Sequence, residues 1–322
     1  MVQQSELVRT KEEPGPARVQ DVAMAVARTL DIGARSLLRH TAAYWPALSR
    51  AHDFIVLRHR MRRALGYKPD LRSPRTYNEK LAWRMLNDRN PLLTLTTDKV
   101  AVRQYVASKV GEDVLVPLIA VYDRAEDIRW DELPSSFVLK ASHGCNMNLI
   151  VRDKDAEDPD LVRRRAADWL RHNFYEDSRE WAYRDIPPRL LVEELMLDDL
   201  GEVPFDFKFL VFAGRTAVIR VHLDRFGDHR VNFYDRDLRL LPVRQFYPTD
   251  PSYQPPAEVV AMAGLAEKIA EDFEYARIDL YLVGGRVRFG EITHHDGNAA
   301  QRFDPASFDT ELGALWDLPS LT

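Results

Sequence analysis

Apolar positions recur at helical spacing through the first third of the chain. Val22, Val26, Leu30, Ala34, Leu37 and Leu38 predict a helix within residues 20–40, and Ile55, Val56, Met61 and Leu65, set among arginines, predict another over Phe54–Leu65. The stretch SPRTYNEKLAWRML predicts a third helix through Glu79, Leu81, Trp83 and Leu86, capped by Ser73 or Thr76. A fourth runs from about Asp98 to Lys109 and closes at Gly111. Beyond it the period shortens to that of strands. VLVPLIAVYD reads as a buried strand bent at Pro117, and SSFVLKAS and LIVRD read as a hairpin-like pair joined by the polar loop HGCNMN. Residues 157–174, with Leu161, Ala166 and Leu170, are amphipathic and helical, and RLLVEELM is an apolar strand ending in paired carboxylates. FDFKFLVFAGRTAVIRVHL turns at Ala213-Gly214-Arg215, VNFYDRDLRLLPV continues that sheet, a helix covers 257–274, and ARIDLYLVGGRVRFGEIT turns at Gly284-Gly285. Helices alternating with antiparallel hairpins predict the α+β class with mixed sheets.

The 322 residues, 45% hydrophobic and 30% charged, suffice for one or two packed domains. A net charge of −5 gives no support to a nucleic-acid partner. No run of 18 apolar residues occurs, so no spanning helix is expected. The single cysteine, Cys145, excludes an internal disulfide and fits a reducing, cytoplasmic setting. Residues 1–18 are polar and proline-bearing, which predicts a mobile N-terminus, followed by a basic helical extension over 19–70. Between positions 50 and 75 stand Arg50, Arg58, Arg60, Arg62, Arg63, Lys68, Arg72 and Arg75, against only Asp53 and Asp70. This stretch reads either as a solvated helix face or as a surface for anionic substrate, lipid or glycan, allowing peripheral contact with the inner membrane face.

Candidate chemistry sits at strand ends. Lys140 ends FVLK, Glu193 and Glu194 end LLVEE, and Asp279 and Glu291 lie on the two arms of one hairpin. Two facing carboxylates need a cation, and Mg²⁺ bridged to phosphate oxygens supplies it. Lysines give point charges for phosphates, and the loop after Lys140, with His143, Gly144 and its backbone N–H groups, is placed to cover them. The bland alternatives are a solvated lysine, and carboxylates paired with Arg277, Arg286 or Arg288. Arg220, His222, Arg225, His229 and Arg230 cluster in sequence, and Arg220 or Arg225 suits bidentate capture of a substrate carboxylate. His294-His295-Asp296 with Glu291 raises a transition-metal site, against which adjacent strand residues point to opposite faces. Cys145 beside His143 raises a nucleophile that lacks a third, orienting group. Trp181, Tyr183, Phe174 and Tyr175 read as core or lid packing.

The order of these pieces resembles the ATP-grasp superfamily over roughly residues 75–310, through DKVAVR, VLKASHG, VEELM, DFKFLVFAGR, RIDLY and GEIT. TYNEKLAWRMLNDRNPL, LPSSFVLKASHG, REWAYRDIPPRLLVEE and DRFGDHRVNFYD are most similar to the branch associated with teichuronopeptide and other cell-surface polysaccharide biosynthesis. The resemblance implies an ATP-grasp fold, two α+β subdomains clasping ATP, with 71–130 as its first part, 131–195 as the lid and 196–322 as the metal-bearing subdomain. It implies that Lys99 and Lys140 hold the α- and β-phosphates, and that Glu193 or Glu194, with the backbone near Met196, holds ribose and adenine. Asp206 is an alternative ribose contact, Lys208 faces the γ-phosphate, and Asp279, Glu291 and Asn298 bind Mg²⁺. Two departures stand out: Cys145, Asn146 and Met147 replace a Ser/Gly-rich loop, and Thr293 replaces the usual Asn.

The implied activity is an ADP-forming carboxylate–amine ligase acting through an acyl phosphate, on small-molecule or glycan-linked carboxylate and amine substrates. Alternatives are a phosphotransferase with His222 or Asp224 as general base, a glycosyltransferase, and a non-catalytic nucleotide-binding partner.

Overall fold

The computed structural model describes residues 46–198, 200–224 and 227–319. The mobile N-terminus, the helix expected within 20–40 and Arg225 lie outside the described residues. The chain divides into two units, Met1–Ile55 and Val56–Thr322, and the second carries the elements that follow α1. No helix among the described residues is long and apolar enough to cross a membrane.

Eight α-helices are described: α1 (Pro46–Leu65), α2 (Tyr77–Asn87), α3 (Pro91–Thr97), α4 (Val102–Val110), α5 (Pro159–Arg171), α6 (Phe174–Ser178), α7 (Glu258–Ile269) and α8 (Ser307–Ala314). The strands are β1 (Leu118–Tyr122), β2 (Phe137–Ala141), β3 (Asn148–Val151), β4 (Leu190–Glu193), β5 (Asp206–Phe212), β6 (Arg215–Leu223), β7 (Arg230–Tyr234), β8 (Tyr275–Val283) and β9 (Arg286–Thr293). They form a four-stranded sheet, β1-β4-β2-β3, and a five-stranded sheet, β7-β6-β5-β8-β9. Every strand pair is antiparallel, which corrects the expectation of mixed sheets.

Local chemistry accounts for the boundaries. Thr76 caps α2 by accepting from Glu79 N–H while the Glu79 side chain reaches back, a full capping box. The helix expected from Asp98 begins only at Val102, because Asp98 ends α3 and its Oδ1 takes the Val100 N–H at 2.9 Å. The β5–β6 hairpin turns on Ala213 (φ 46°) and Gly214 (φ 76°), both left-handed as a two-residue type I′ turn requires. VLVPLIAVYD is not a buried strand. Its β1 portion is an edge paired only with β4, leaving Leu118, Ile119 and Val121 each more than a third exposed. On α5 the buried residues are Val162 and Ala166, and Leu161 faces solvent.

Each sheet buries one face. Phe207, Phe209 and Val211 of β5, Ile219 and Val221 of β6, and Ala276, Ile278 and Leu280 of β8 pack with Met262, Ala266 and Ile269 of α7 in one core. In the smaller sheet Phe137, Leu139, Leu190 and Val192 pack with Val162 and Ala166 of α5. Because side chains alternate along a strand, the opposite face of the large sheet carries Asp206, Lys208, Arg220, His222, Arg277 and Asp279.

Candidate active site

Register brings four charged residues into one row across the large sheet. Lys208 on β5 is opposite Arg220 on β6 and Asp279 on β8, and Asp279 is opposite Glu291 on β9. The last pairing depends on an irregularity. From the Gly284-Gly285 turn, pairs run Val283 with Arg286 through Leu280 with Phe289, then shift so that Asp279 meets Glu291. Gly290 is the extra residue. Without this bulge Glu291 would oppose Ile278, whose side chain is in the core, and would leave the Asp279 face. A Cβ on residue 290 would lie 2.8 Å from the Tyr281 ring and 3.1 Å from the Asp279 carbonyl oxygen, so glycine permits the tight bulge.

The row is dense in charge. The Lys208 ammonium bridges Asp279 and Asp206, the latter at 2.6 Å. Arg277 donates from Nε and Nη2 to the two oxygens of Asp279, both at 2.7 Å, and from Nη2 to Glu291 at 2.6 Å. Its Nη1 reaches Asp296, which also accepts from Arg220 Nη2 at 3.0 and 3.2 Å and from the Tyr77 hydroxyl at 3.1 Å. Gln301 accepts from Arg220 at 2.7 Å, and its backbone is clasped on both sides by the Asn78 amide. Burial pushes the Asp279 carboxyl up, but Arg277 and Lys208 outweigh it and hold it at about 2. Burial likewise opposes ionisation of Asp296, and Arg220 and Arg277 drive it far below the usual carboxylate range. Asp279 and Asp296 are therefore held as anions.

The smaller sheet supplies a second set. Lys140 Nζ donates to Glu193 Oε2 at 2.6 Å, and Arg103 holds the other Glu193 oxygen at 2.8 Å. Lys99 Nζ donates to the Gly144 carbonyl at 2.6 Å while its backbone N–H bonds Ser142 O. Lys99 thus ties the β2–β3 loop from inside. Asp98 is held by Arg189 at 2.7 Å. His143 points away from the loop tip, with Nε2 on the Trp169 carbonyl at 3.0 Å, and burial lowers its basicity. Glu194 is exposed and Met196 half-buried, with the Glu194 N–H on Pro117 O. Burial pushes the Cys145 thiol up, with Glu291 adding to the rise and Lys99 opposing it. A protonated thiol is a poor nucleophile. Arg103 also lines a cavity of about 730 Å³ with Leu115, Pro117, Val287 and Arg288.

The histidines part company. His294 Nε2 bonds the Thr96 hydroxyl at 2.7 Å, and His295 Nδ1 lies 3.6 Å from Glu180. Among the described residues no three His, Cys, Asp or Glu side chains converge as a transition-metal site would need. His222 bonds His229 at 3.0 Å on the same sheet face as Arg220. Asp279 and Glu291 offer hard oxygen ligands, and the Asn298 carboxamide oxygen is buried without a hydrogen-bond partner. That donor set fits Mg²⁺ completed by phosphate oxygens.

A family model, TupA-like ATPgrasp, matches residues 79–317. The chain belongs to the TupA-like ATP-grasp family. Its fold is the ATP-grasp fold, expected from the motifs that run from DKVAVR to GEIT. Solved structures similar to this TupA-like protein include D-alanine–D-alanine ligase from Bacillus anthracis, with 20% identity over 68% of this chain and 64% of that one, TM-score 0.41. The ATP-grasp ligase PsnB, complexed with a phosphomimetic variant of its minimal precursor, Mg and ADP, matches at 12% identity over 70% of this chain and 60% of that one, TM-score 0.41. Phosphoribosylamine–glycine ligase from Thermotoga maritima matches at 11% over 65% and 51%, TM-score 0.39. The chain thus spans less than two thirds of the length of each of these three. No curated protein matches it.

Sequence reasoning named Arg277 only as a neutralising partner and Asp296 only in a transition-metal trio. The signal for Arg277 was available: Arg277 and Asp279 are spaced by two on a strand, which puts both on one face. Asp296, Gln301 and Tyr77 meet through contacts separated by some two hundred residues, and short-range pattern carries no trace of them.

Proposed function

We propose that this protein is an ATP-dependent, ADP-forming carboxylate–amine ligase. The observation that carries the reading is the transverse row Arg220–Lys208–Asp279–Glu291, with Arg277 alongside, on one face of an ATP-grasp sheet. Two cations beside two carboxylates in direct register make a site for a polyanion and its counter-cation, because each like-charged pair calls for a ligand of the other sign.

In this reading Lys99 and Lys140 hold the nucleotide phosphates, Glu193 or Glu194 and the backbone near Met196 hold ribose and adenine, and Asp206 lies at the ribose rim. Asp279, Glu291 and Asn298 hold Mg²⁺, which supplies charge neutralisation on the phosphates when bound. Lys208 and Arg277 counter the negative charge that builds up as a phosphoryl group passes to a substrate carboxylate. Arg220 or Arg225 orients that carboxylate, and His222 stands on the same strand as Arg220. Attack by an amine on the acyl phosphate then forms the amide and releases phosphate. The substrate class is an amino acid or other amine joined to a uronic acid or similar carboxylate, as in cell-surface polysaccharide biosynthesis.

The test is a panel of amino acids and uronic acids with ATP and Mg²⁺, scored for ADP and a new product mass. ADP release that needs both a carboxylate and an amine supports the reading. Phosphate found on a hydroxyl, or turnover of a nucleotide sugar without ATP, overturns it. Lys140→Ala is expected to weaken nucleotide binding by about 30-fold or more, since it also strands Glu193 with a single cation.

A further inference from the structure

The basic stretch after position 56 takes no part in the proposed chemistry. On the inner side of α1, Leu57 and Met61 are fully buried, and Arg60 is committed to the Ser178 and Asp177 carbonyls at 2.7 Å each. The outer side is different. His59, Arg62 and Arg63, at helical spacing, are exposed, and Lys68, Arg72 and Arg75 are exposed in the turn that leaves the helix. Among the described residues none of these six side chains is in an ion pair. Asp70, the one acid of the stretch from Val56 to Arg75, uses its Oδ1 on the Arg72 and Ser73 N–H groups at 3.0 Å each. Other exposed arginines divide: Arg124, Arg152, Arg171, Arg184 and Arg239 each meet a carboxylate, while Arg215, Arg244, Arg286 and Arg302 stand singly along the chain, so the patch is set apart by its density of cations.

We propose that the end of α1 and the turn after it form a docking surface for a bilayer bearing anionic headgroups. Charge complementarity names the partner's sign, and shape names its kind. A flexible polyanion is held in a basic groove with aromatic platforms. Here the cations stand on a helix end and a turn, Pro69 and Leu71 are turned inward, and Tyr67 is the one aromatic residue among them. A flat sheet of phosphates needs no groove. Lysines and arginines clustered at a helix end and its following turn are what an anionic membrane surface attracts, each strengthening partitioning about fivefold near the surface. The proposal is independent of the ligase reading, because no residue of this patch belongs to the candidate active site.

The test is co-sedimentation of the full chain with vesicles of phosphatidylcholine and phosphatidylglycerol, two to one, against pure phosphatidylcholine. Binding is expected only with the anionic vesicles and is expected to fade at about 0.5 M NaCl. The variant Arg62→Glu/Arg63→Glu/Arg72→Glu is expected to lose at least about 100-fold in partitioning, with an unchanged thermal melt. The charge-conserving Arg62→Lys/Arg63→Lys/Arg72→Lys variant should bind as the parent does. Equal sedimentation with both vesicle types, undiminished binding by the glutamate variant, or retention on a soluble polyanion such as heparin with none on vesicles would each overturn it.

Discussion

Glu291 faces Asp279 across the β8–β9 hairpin because one residue, Gly290, is extra in β9. The pairing is therefore a property of the backbone and is exposed to a single methyl group. Gly290→Ala would press a Cβ against the Tyr281 ring and the Asp279 carbonyl. The strand must shift, and the two carboxylates lose their common aim. We expect a folded protein whose nucleotide affinity loses most of its dependence on Mg²⁺. Isothermal titration with ADP, with and without Mg²⁺, checks this, and an unchanged Mg²⁺ effect would refute the role given to the bulge.

Arg277 makes two parallel bonds to Asp279 and one to Glu291, a fork that a single ammonium does not reproduce. Arg277→Lys keeps the charge and loses the geometry. Turnover is expected to fall by about 10²–10³ with nucleotide binding nearly intact, as for removal of one preorganised donor. Separate measurement of kcat and of ATP dissociation decides it.

Asp296 is 1% exposed and carries two guanidinium groups and a tyrosine hydroxyl. Asp296→Ala leaves Arg220 and Arg277 facing each other without their shared anion, at a cost of about 3–5 kcal/mol. Asp296→Asn keeps the shape and should cost clearly less. Urea midpoints for the three proteins rank them, and equal midpoints would argue against the hub.

His294 predicts a pH dependence. Burial, with Arg84 and His295 nearby, holds its imidazole neutral, well below the ordinary 6.5. The Thr96 hydroxyl already donates to Leu92 O, so His294 Nε2–H is the donor between them. As pH falls below 6.5 the unfolded chain takes up a proton that the native chain refuses. Stability is thus complete above 6.5 and declines with falling pH. His294→Gln, which retains a donor to Thr96, should flatten the decline in urea midpoint between about pH 7 and pH 5.

Much of this was legible in the sequence because it is local. Thr76 and Glu79 announce the start of α2, paired glycines announce the last hairpin, and Phe207, Phe209 and Val211 alternate with Asp206, Lys208 and Leu210. The row of charges is legible only in part. Counting strictly from the Gly284-Gly285 turn sends Glu291 to the core face, and only the glycine inside the strand hints at the correction. The β1 stretch looked buried because it is apolar, yet burial depends on neighbours, and an edge strand has one.

Helix α8 is stitched to the start of α2 across more than two hundred residues. The Asn78 N–H bonds Asp309, and Lys80 bonds the Gly313 and Trp316 carbonyls. The β5–β6 and β8–β9 hairpins, by contrast, each close on a two-residue turn. Chain closure therefore differs greatly between the strands that bear the charges and the brace that steadies Asp296 through Tyr77, Asn78 and Gln301. During refolding the hairpins should acquire hydrogen-exchange protection first. Competence should arrive later, in step with the distant ends meeting.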